Sequence, residues 1–428
     1  MRIYILFTLS FFGLAAGRTG VGPGDQDWGY VTVRPGAHMF YWLYHNTRTT
    51  SQPLVIWLQG GPGASSTGYG NFEEIGVLDV NLNVRNTTWV NHVNVLFIDN
   101  PVGTGFSYVD HSQYLTSSNT EIAIDLVTFM AKFLEIHPEF KHVPLYIVSE
   151  SYGGKMAAEF ALLLDKAIKH NLIDVPFKGV ALGDSWVSPI DSVLTWAPFL
   201  LQTGMVDTDG YEAINEYAQK TKAALDAEDF ERATTLWGQT EYVILDVTGN
   251  IDFYNILYKV YGYDIRQKST VTISCKIMVQ LRDDYSLDLL MNSVVKETLG
   301  IPQHVVWGGQ SNDVFQHLYG DFMKPVTSVV ERLLNETDLN VCVFSGVLDL
   351  IVDTPGTLDW VERLQWSGAE KWHLSERSQL TIDGIIEGYL KEYDHLSFYW
   401  ILRSGHMVPT DNPYAALKML KAVTNYKD

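Results

Sequence analysis

Residues Val148 to Phe160 read VSESYGGKMAAEF. Before Ser151 lies a short apolar run, Leu145 to Val148, with the β-rich character of a strand. After it, Met156, Phe160, Leu163, Leu164 and Ala167 recur at helical spacing and predict one buried helix face. Ser151 therefore sits at a strand-to-helix turn. A serine in a tight turn is ordinarily a turn residue and nothing more. The same place in a chain is also where a hydroxyl nucleophile is exposed on a strained elbow, written G-x-S-x-G. Here the stretch is Ser149-Glu150-Ser151-Tyr152-Gly153, and Ser149 supplies the small side chain that the first glycine position requires. A serine hydroxyl becomes nucleophilic only with a base, an acid that orients the base, and donors for the developing oxyanion. The remaining sequence decides between turn and nucleophile.

Working outward, apolar runs at Leu54 to Leu58, Val93 to Ile98, Val180 to Leu182, Val341 to Phe344 and Phe398 to Leu402 alternate with helical patterns. This predicts an α/β protein with a mostly parallel central sheet flanked by helices. The early stretch LVIWLQGGPGASS, Leu54 to Ser66, runs from strand into a glycine-rich loop, where Gly60 and Gly61 bare their backbone N–H groups. An α/β-hydrolase places its second oxyanion donor there. A phosphate-binding loop is excluded, because no Gly-Lys-Ser/Thr follows. Downstream, Asp349 follows the strand in VCVFSGVLDLIVD, and His406 follows the strand in FYWILRSGHMVPTD. The order Ser, Asp, His is that of an α/β-hydrolase triad. Asp353 and Asp359 compete as acids and His373 and His395 as bases; position after a strand favours Asp349 and His406.

The chain of 428 residues carries 30 Lys and Arg against 50 Asp and Glu, a net charge of −20 that repels nucleic acid and anionic membranes. Its start, MRIYILFTLSFFGLAAG, has the charge, short apolar stretch and small-residue end of a secretory signal peptide, residues 1–17. No later run approaches the roughly 20 apolar residues of a membrane span. In a secretory context Asn86-Thr87-Thr88 and Asn335-Glu336-Thr337 become glycosylation sequons. Cys275 and Cys342 are too few for a disulfide scaffold, and the sequence leaves open whether they pair. From about 190 to 307 the rhythm turns helical and charged before strand-like runs resume, so residues 18–428 are expected to form one domain with an inserted, largely helical cap. No pattern calls for a metal or cofactor.

The stretches WLQGGPGASST, NFEEIG, LFIDNPVGTGFSYV, SESYGGKMA, ALGDSWVSP, DFMKPV, SGVLDLIVD and FYWILRSGHMVP, in this order, resemble the serine carboxypeptidases. The resemblance implies Ser151, Asp349 and His406 as the triad and the N–H groups of Gly61 and Tyr152 as the oxyanion hole. It further implies that Gln59, Gly60 and Glu150, with Glu74 nearby, hold the free C-terminal carboxylate of a peptide or protein substrate. Such enzymes usually carry Asn where this chain has Gln59, and a cysteine where it has Ala64. Beside a substrate carboxylate, Glu150 must be protonated to donate a hydrogen bond, while His406 must be neutral, so an acidic working pH is expected. Secretion or a lysosome-like compartment fits that pH. Two other readings use the same chain: an esterase or acyltransferase on the same triad, and a catalytically silent binding protein with the hydrolase fold.

Overall fold

The computed structural model describes residues 18–46, 51–260 and 284–425. The strands are β1 (Gln26–Arg34), β2 (Ala37–Tyr44), β3 (Leu54–Leu58), β4 (Asn94–Ile98), β5 (Tyr108–Val109), β6 (Leu145–Glu150), β7 (Phe177–Gly183), β8 (Asn340–Gly346), β9 (Arg377–Ile382), β10 (Ile385–Tyr393) and β11 (Leu396–Ile401). They form one sheet in the order β1-β2-β4-β3-β6-β7-β8-β11-β10-β9, with β5 beside β2. The stretch from β4 to β11 is parallel throughout, and antiparallel ribbons close both ends.

Every residue of β3, β4 and β6 is buried, as strands covered on both faces must be. Alternation then assigns side chains to two cores. In β3, Leu54, Ile56 and Leu58 face the core that includes Phe129 and Phe133 of α1 (Asn119–Ile136) and Met156 and Phe160 of α2 (Tyr152–Lys169). Val55 and Trp57 face the opposite core with Phe72, Ile75 and Trp89. The helix expected after Ser151 is α2, with Met156, Phe160, Leu164 and Ala167 buried and Leu163 half-buried. Lys166 and Lys169 in its last turn complement the helix dipole.

Strands β1, β2, β9 and β10 go beyond the runs singled out in the sequence. In β1 (QDWGYVTVR) and β10 (IIEGYLKEY) most residues are only half-buried, so polar and aromatic side chains alternate without a continuous aliphatic run. β2 is buried but built largely from aromatics.

Between β7 and β8 the described residues are helical: α3 (Pro189–Gln202), α4 (Thr208–Asp226), α5 (Phe230–Thr248), α6 (Asp284–Leu290), α7 (Lys296–Leu299), α8 (Asn312–His317), α9 (Tyr319–Phe322) and α10 (Thr327–Glu336). The expected cap falls in this span, while the expected signal peptide and Cys275 lie outside the described residues. Cys342 is a buried thiol in β8, and burial pushes it up to about 12. Further on come α11 (Thr354–Glu362), α12 (Ala369–Leu374), α13 (Val408–Asp411) and α14 (Pro413–Val423). No described helix is long and apolar enough to cross a membrane. Asn86 and Asn335 are both exposed.

The loop after β3 is anchored by a buried carboxylate just past β4. Asp99 Oδ1 accepts from Ser65 Oγ at 2.7 Å and Thr67 N at 3.0 Å, and Oδ2 accepts from Thr67 Oγ1 at 2.8 Å and Phe106 N at 2.9 Å. From the outer side, Gln310 Nε2 donates to Pro62 O at 2.6 Å, and Trp307 Nε1 to Ser65 Oγ at 3.0 Å. Asp99→Asn replaces one oxygen, and with it two of the four acceptor lobes, by an NH2 that faces donors. It should cost about 2–3 kcal/mol, read as a lower urea midpoint; an unchanged midpoint would refute the anchoring role.

Candidate active site

Ser151 adopts φ 62° and ψ −132°, a left-handed conformation that costs a residue with a side chain about 1–3 kcal/mol. Surrounding hydrogen bonds hold it there. Its N–H reaches Gly183 O at 3.0 Å and Asp184 O at 3.1 Å, and its carbonyl accepts from Gly154 N at 3.0 Å and Trp186 N at 2.9 Å. Ser149 directs its hydroxyl sideways to Ala181 O at 3.0 Å, so the small residue fits against β7 as expected. A Cβ on Gly60 would lie 1.9 Å from Gly153 N, and one on Gly153 would lie 2.2 Å from Leu58 O. The backbone after β3 thus rests directly on the first turn of α2. Tyr152 opens that helix, so its N–H has no acceptor within the helix.

Asp349 follows β8 and His406 follows β11, and His406 Nδ1 lies 2.7 Å from Asp349 Oδ2. Both residues are buried, whereas Ser151 is half-exposed. Asp349 Oδ1 also accepts from Val352 N at 3.3 Å. The His406 ring meets Tyr254 edge-on with centroids 5.1 Å apart, and its backbone N–H donates to Tyr254 O at 2.7 Å. Phe253 O accepts from Leu350 N at 3.0 Å and Ile351 N at 2.9 Å, so one short segment steadies both the acid and the base loops. The competing residues make other contacts. Asp353 accepts from Thr195 Oγ1 at 2.8 Å, Asp359 belongs to α11, His373 is exposed on α12, and His395 Nε2 sits 3.0 Å from Leu334 O.

Beside the serine is a buried carboxyl pair. Glu150, the last residue of β6, accepts from Gln59 Nε2 at 2.6 Å, and its carboxyl faces that of Glu74. Burial first, then the charge of Glu74, raises Glu150 well above the ordinary carboxylic range, with Gln59 opposing. Trp57 Nε1 donates to Gln59 Oε1 at 2.8 Å, which fixes the amide so that its NH2 points to Glu150. Glu73 is half-buried, and its carbonyl accepts from Thr410 Oγ1 at 2.8 Å; the buried partner of Glu150 is Glu74.

The serine carboxypeptidase family profile matches residues 18–426. The chain belongs to the serine carboxypeptidase family. It is 43% identical to the retinoid-inducible serine carboxypeptidase of Mus musculus over 99% of this chain and 97% of that protein. It is 38% identical to serine carboxypeptidase-like 51 of Arabidopsis thaliana over 94% and 92%. Among solved structures, Kex1Δp, a prohormone-processing carboxypeptidase from Saccharomyces cerevisiae, matches with a TM-score of 0.79 at 22% identity, covering 94% of this chain and 91% of that one, which supports the α/β fold. As a serine carboxypeptidase the protein acts on peptides, and the esterase, acyltransferase and silent readings are not favoured.

Two features of this serine carboxypeptidase were not singled out from the sequence. One is the Trp57 donor described above. The other is a buried ion pair behind Tyr152: Lys155 Nζ lies 3.0 Å from Asp321 Oδ2 and also donates to the Asp321 carbonyl, while Tyr152 Oη donates to Asp321 Oδ2 at 3.2 Å. Burial pulls Lys155 down to about 8, against the pull of Asp321. The pair ties α2 to α9. Lys155→Met leaves the Asp321 charge with only Lys324 Nζ, 3.8 Å from Oδ1, and the Tyr152 hydroxyl, and should cost about 3 kcal/mol. Adding Asp321→Asn should recover much of that loss in chemical denaturation; no recovery would mean the cost comes from packing alone.

Proposed function

We propose that Ser151 is the nucleophile of this serine carboxypeptidase, His406 its base and Asp349 the acid that orients the base. Ser151 Oγ attacks the carbonyl carbon of the last peptide bond while His406 Nε2 takes its proton. Asp349 holds the Nδ1–H and stabilises the imidazolium. The N–H groups of Gly61 and Tyr152 receive the oxyanion. Collapse of the tetrahedral intermediate breaks the C–N bond, and the departing amino acid takes the proton from His406. Water, deprotonated by the same imidazole, then releases the acyl chain. No metal or cofactor enters.

The observation that carries the exopeptidase reading is the position of Glu150, immediately before Ser151, in a carboxyl pair with Glu74 and under the amide of Gln59. In this reading a terminal carboxylate held there, with the backbone of Gly60, sets the last peptide bond against the adjacent Ser151. Protonated Glu150 donates a hydrogen bond to the substrate terminus. Because its pKa is raised, that proton is present at acid pH and lost as pH climbs, when a second negative charge repels the substrate. The activity therefore belongs on the acid side, in a secreted or lysosomal protein whose signal peptide is residues 1–17 and whose mature chain, 18–428, is one hydrolase domain with its cap at about 190–307. Asn86 and Asn335 are the glycan acceptors. The Asn335 amide donates to Glu331 O at 2.9 Å and Gln365 O at 3.0 Å, so its glycan is best added before α10 packs.

Three measurements test this reading. A fluorophosphonate probe should label the parent, and Ser151→Ala should abolish labelling with the fold intact; labelling that persists identifies a different serine. His406→Ala should lose several orders of magnitude in kcat, with Asp349→Asn close behind, and loss in His395→Ala or His373→Ala instead would reject the assignment. An N-blocked peptide with a free C-terminus should be cleaved and its amide spared. Glu150→Gln keeps a neutral donor at every pH, so for the free peptide kcat/KM should lose most of its decline toward neutrality. A profile identical to the parent would move the carboxylate-binding role away from Glu150.

A further inference from the structure

Asp184 has no part in the chemistry above, yet it stands where the proposed catalytic strands meet. It follows β7, is fully buried and holds φ 39°, in the left-handed region. Its N–H donates to Phe344 O at 2.8 Å and its carbonyl accepts from Ser151 N at 3.1 Å, which ties the ends of β6, β7 and β8 together. Its carboxyl Oδ1 accepts from Gly346 N at 2.8 Å. Oδ2 meets no N–H or O–H donor among the described residues, and the carboxyl faces that of Asp349.

Two carboxylates in contact inside a protein cannot both carry charge, and the contact becomes a hydrogen bond when one proton is present. The partners decide where that proton resides. Asp349 is supported by His406 Nδ1 at 2.7 Å and Val352 N at 3.3 Å, whereas Asp184 has Gly346 N alone. The proton therefore sits on Asp184. Burial pushes both carboxyls up; for Asp184 the charge of Asp349 adds to the rise, against the pull of His406 and the Gly346 N–H, whereas for Asp349 the Val352 N–H and the Asp184 carboxyl work to lower it. The charged or titratable groups facing Asp184 are Asp349, His406 and, from the end of β6, Glu150. Asp252, Asp353 and Tyr254 face Asp349 in turn.

We propose that Asp184 is a positioning residue that remains protonated and donates a hydrogen bond to Asp349, drawing off part of the negative charge that His406 meets. The inference rests on the triad reading above. Its consequence concerns the base: with less charge opposite Nδ1, the imidazolium is stabilised less and His406 stays neutral to lower pH. An enzyme of this class working in acid requires that, because a protonated imidazole cannot take the serine proton. A single buried proton thus extends the working range of the base toward acid.

The test is the pH dependence of fluorophosphonate labelling of the full-length protein. The probe has no carboxylate, so the Gln59, Glu74 and Glu150 site does not enter. In the parent the rate rises with pH as the imidazole loses its proton. Asp184→Ala removes the donor and should move this limb up by about one pH unit, a tenfold loss at a fixed pH on the limb. Asp184→Asn keeps a neutral donor toward Asp349 and an acceptor for Gly346 N, and its limb should coincide with the parent's. An Ala variant with a lower maximum rate but an unmoved limb overturns the proposal. Asp184→Asn decides the matter even if the Ala variant does not fold: were Asp184 ionised in the parent, removing its charge would move the limb to lower pH, which also overturns it. Ser151→Ala in the same assay separates the two readings, since labelling that survives there rejects the nucleophile rather than Asp184.

Discussion

A carbon atom added at Gly60 would fall 1.9 Å from Gly153 N and 2.5 Å from the carbonyl carbon of Tyr152, and one added at Gly153 would fall 2.2 Å from Leu58 O. The end of β3 and the start of α2 are therefore in backbone contact with no room for a side chain on either side. Much else follows from this approach. It sets the backbone of Gly60 against that of Tyr152, and it brings Gln59 to 2.6 Å from Glu150. It also leaves Ser151 little freedom at φ 62°, where the cost of the conformation is offset by hydrogen bonds to the end of β7 and from Gly154 and Trp186. Asp99 below the loop and Gln310 above it keep the approach from opening.

How much of this the sequence reveals depends on how local each constraint is. Ser151, Asp349 and His406 were legible because an α/β-hydrolase places its groups after strand ends in a fixed chain order, and each strand announces itself as an apolar run. Glu74 was harder. Glu74 was named through the family resemblance alone; the segment Ser66–Ile75 is a π-helix, whose wider turn sets which side chain faces inward, and it buries Glu74 while Glu73 is half-buried. Asp184 and Trp57 carried no signal of their own. The first matters because β7 lies between β6 and β8, and the second because an indole in β3 and an amide just past its end meet over the buried Glu150. Pairings between strands distant in sequence are what a motif search does not contain. The flanking ribbons β1–β2 and β9–β10 escaped for a different reason, since half-exposed, aromatic-rich strands lack the aliphatic runs that mark the centre of the sheet.

Two buried carboxyl pairs lie at the ends of adjacent strands, Glu74 with Glu150 and Asp184 with Asp349. The same electrostatics governs both, because each pair lowers its energy by holding one proton and one charge rather than two charges. Their surroundings turn that fact to different ends. Glu150 stands beside the half-exposed serine, where its proton can meet a substrate, and Asp184 is sealed behind Gly346 and Asp349, where its proton can act only on the charge opposite His406. In the proposed mechanism one pair thus bears on binding and the other on the base. Both favour acid: the first needs its proton to accept an anionic terminus, and the second lets the imidazole remain neutral where that proton is present. On the proposed roles, the overlap between the two conditions, rather than either alone, sets the pH range in which peptide turnover can proceed.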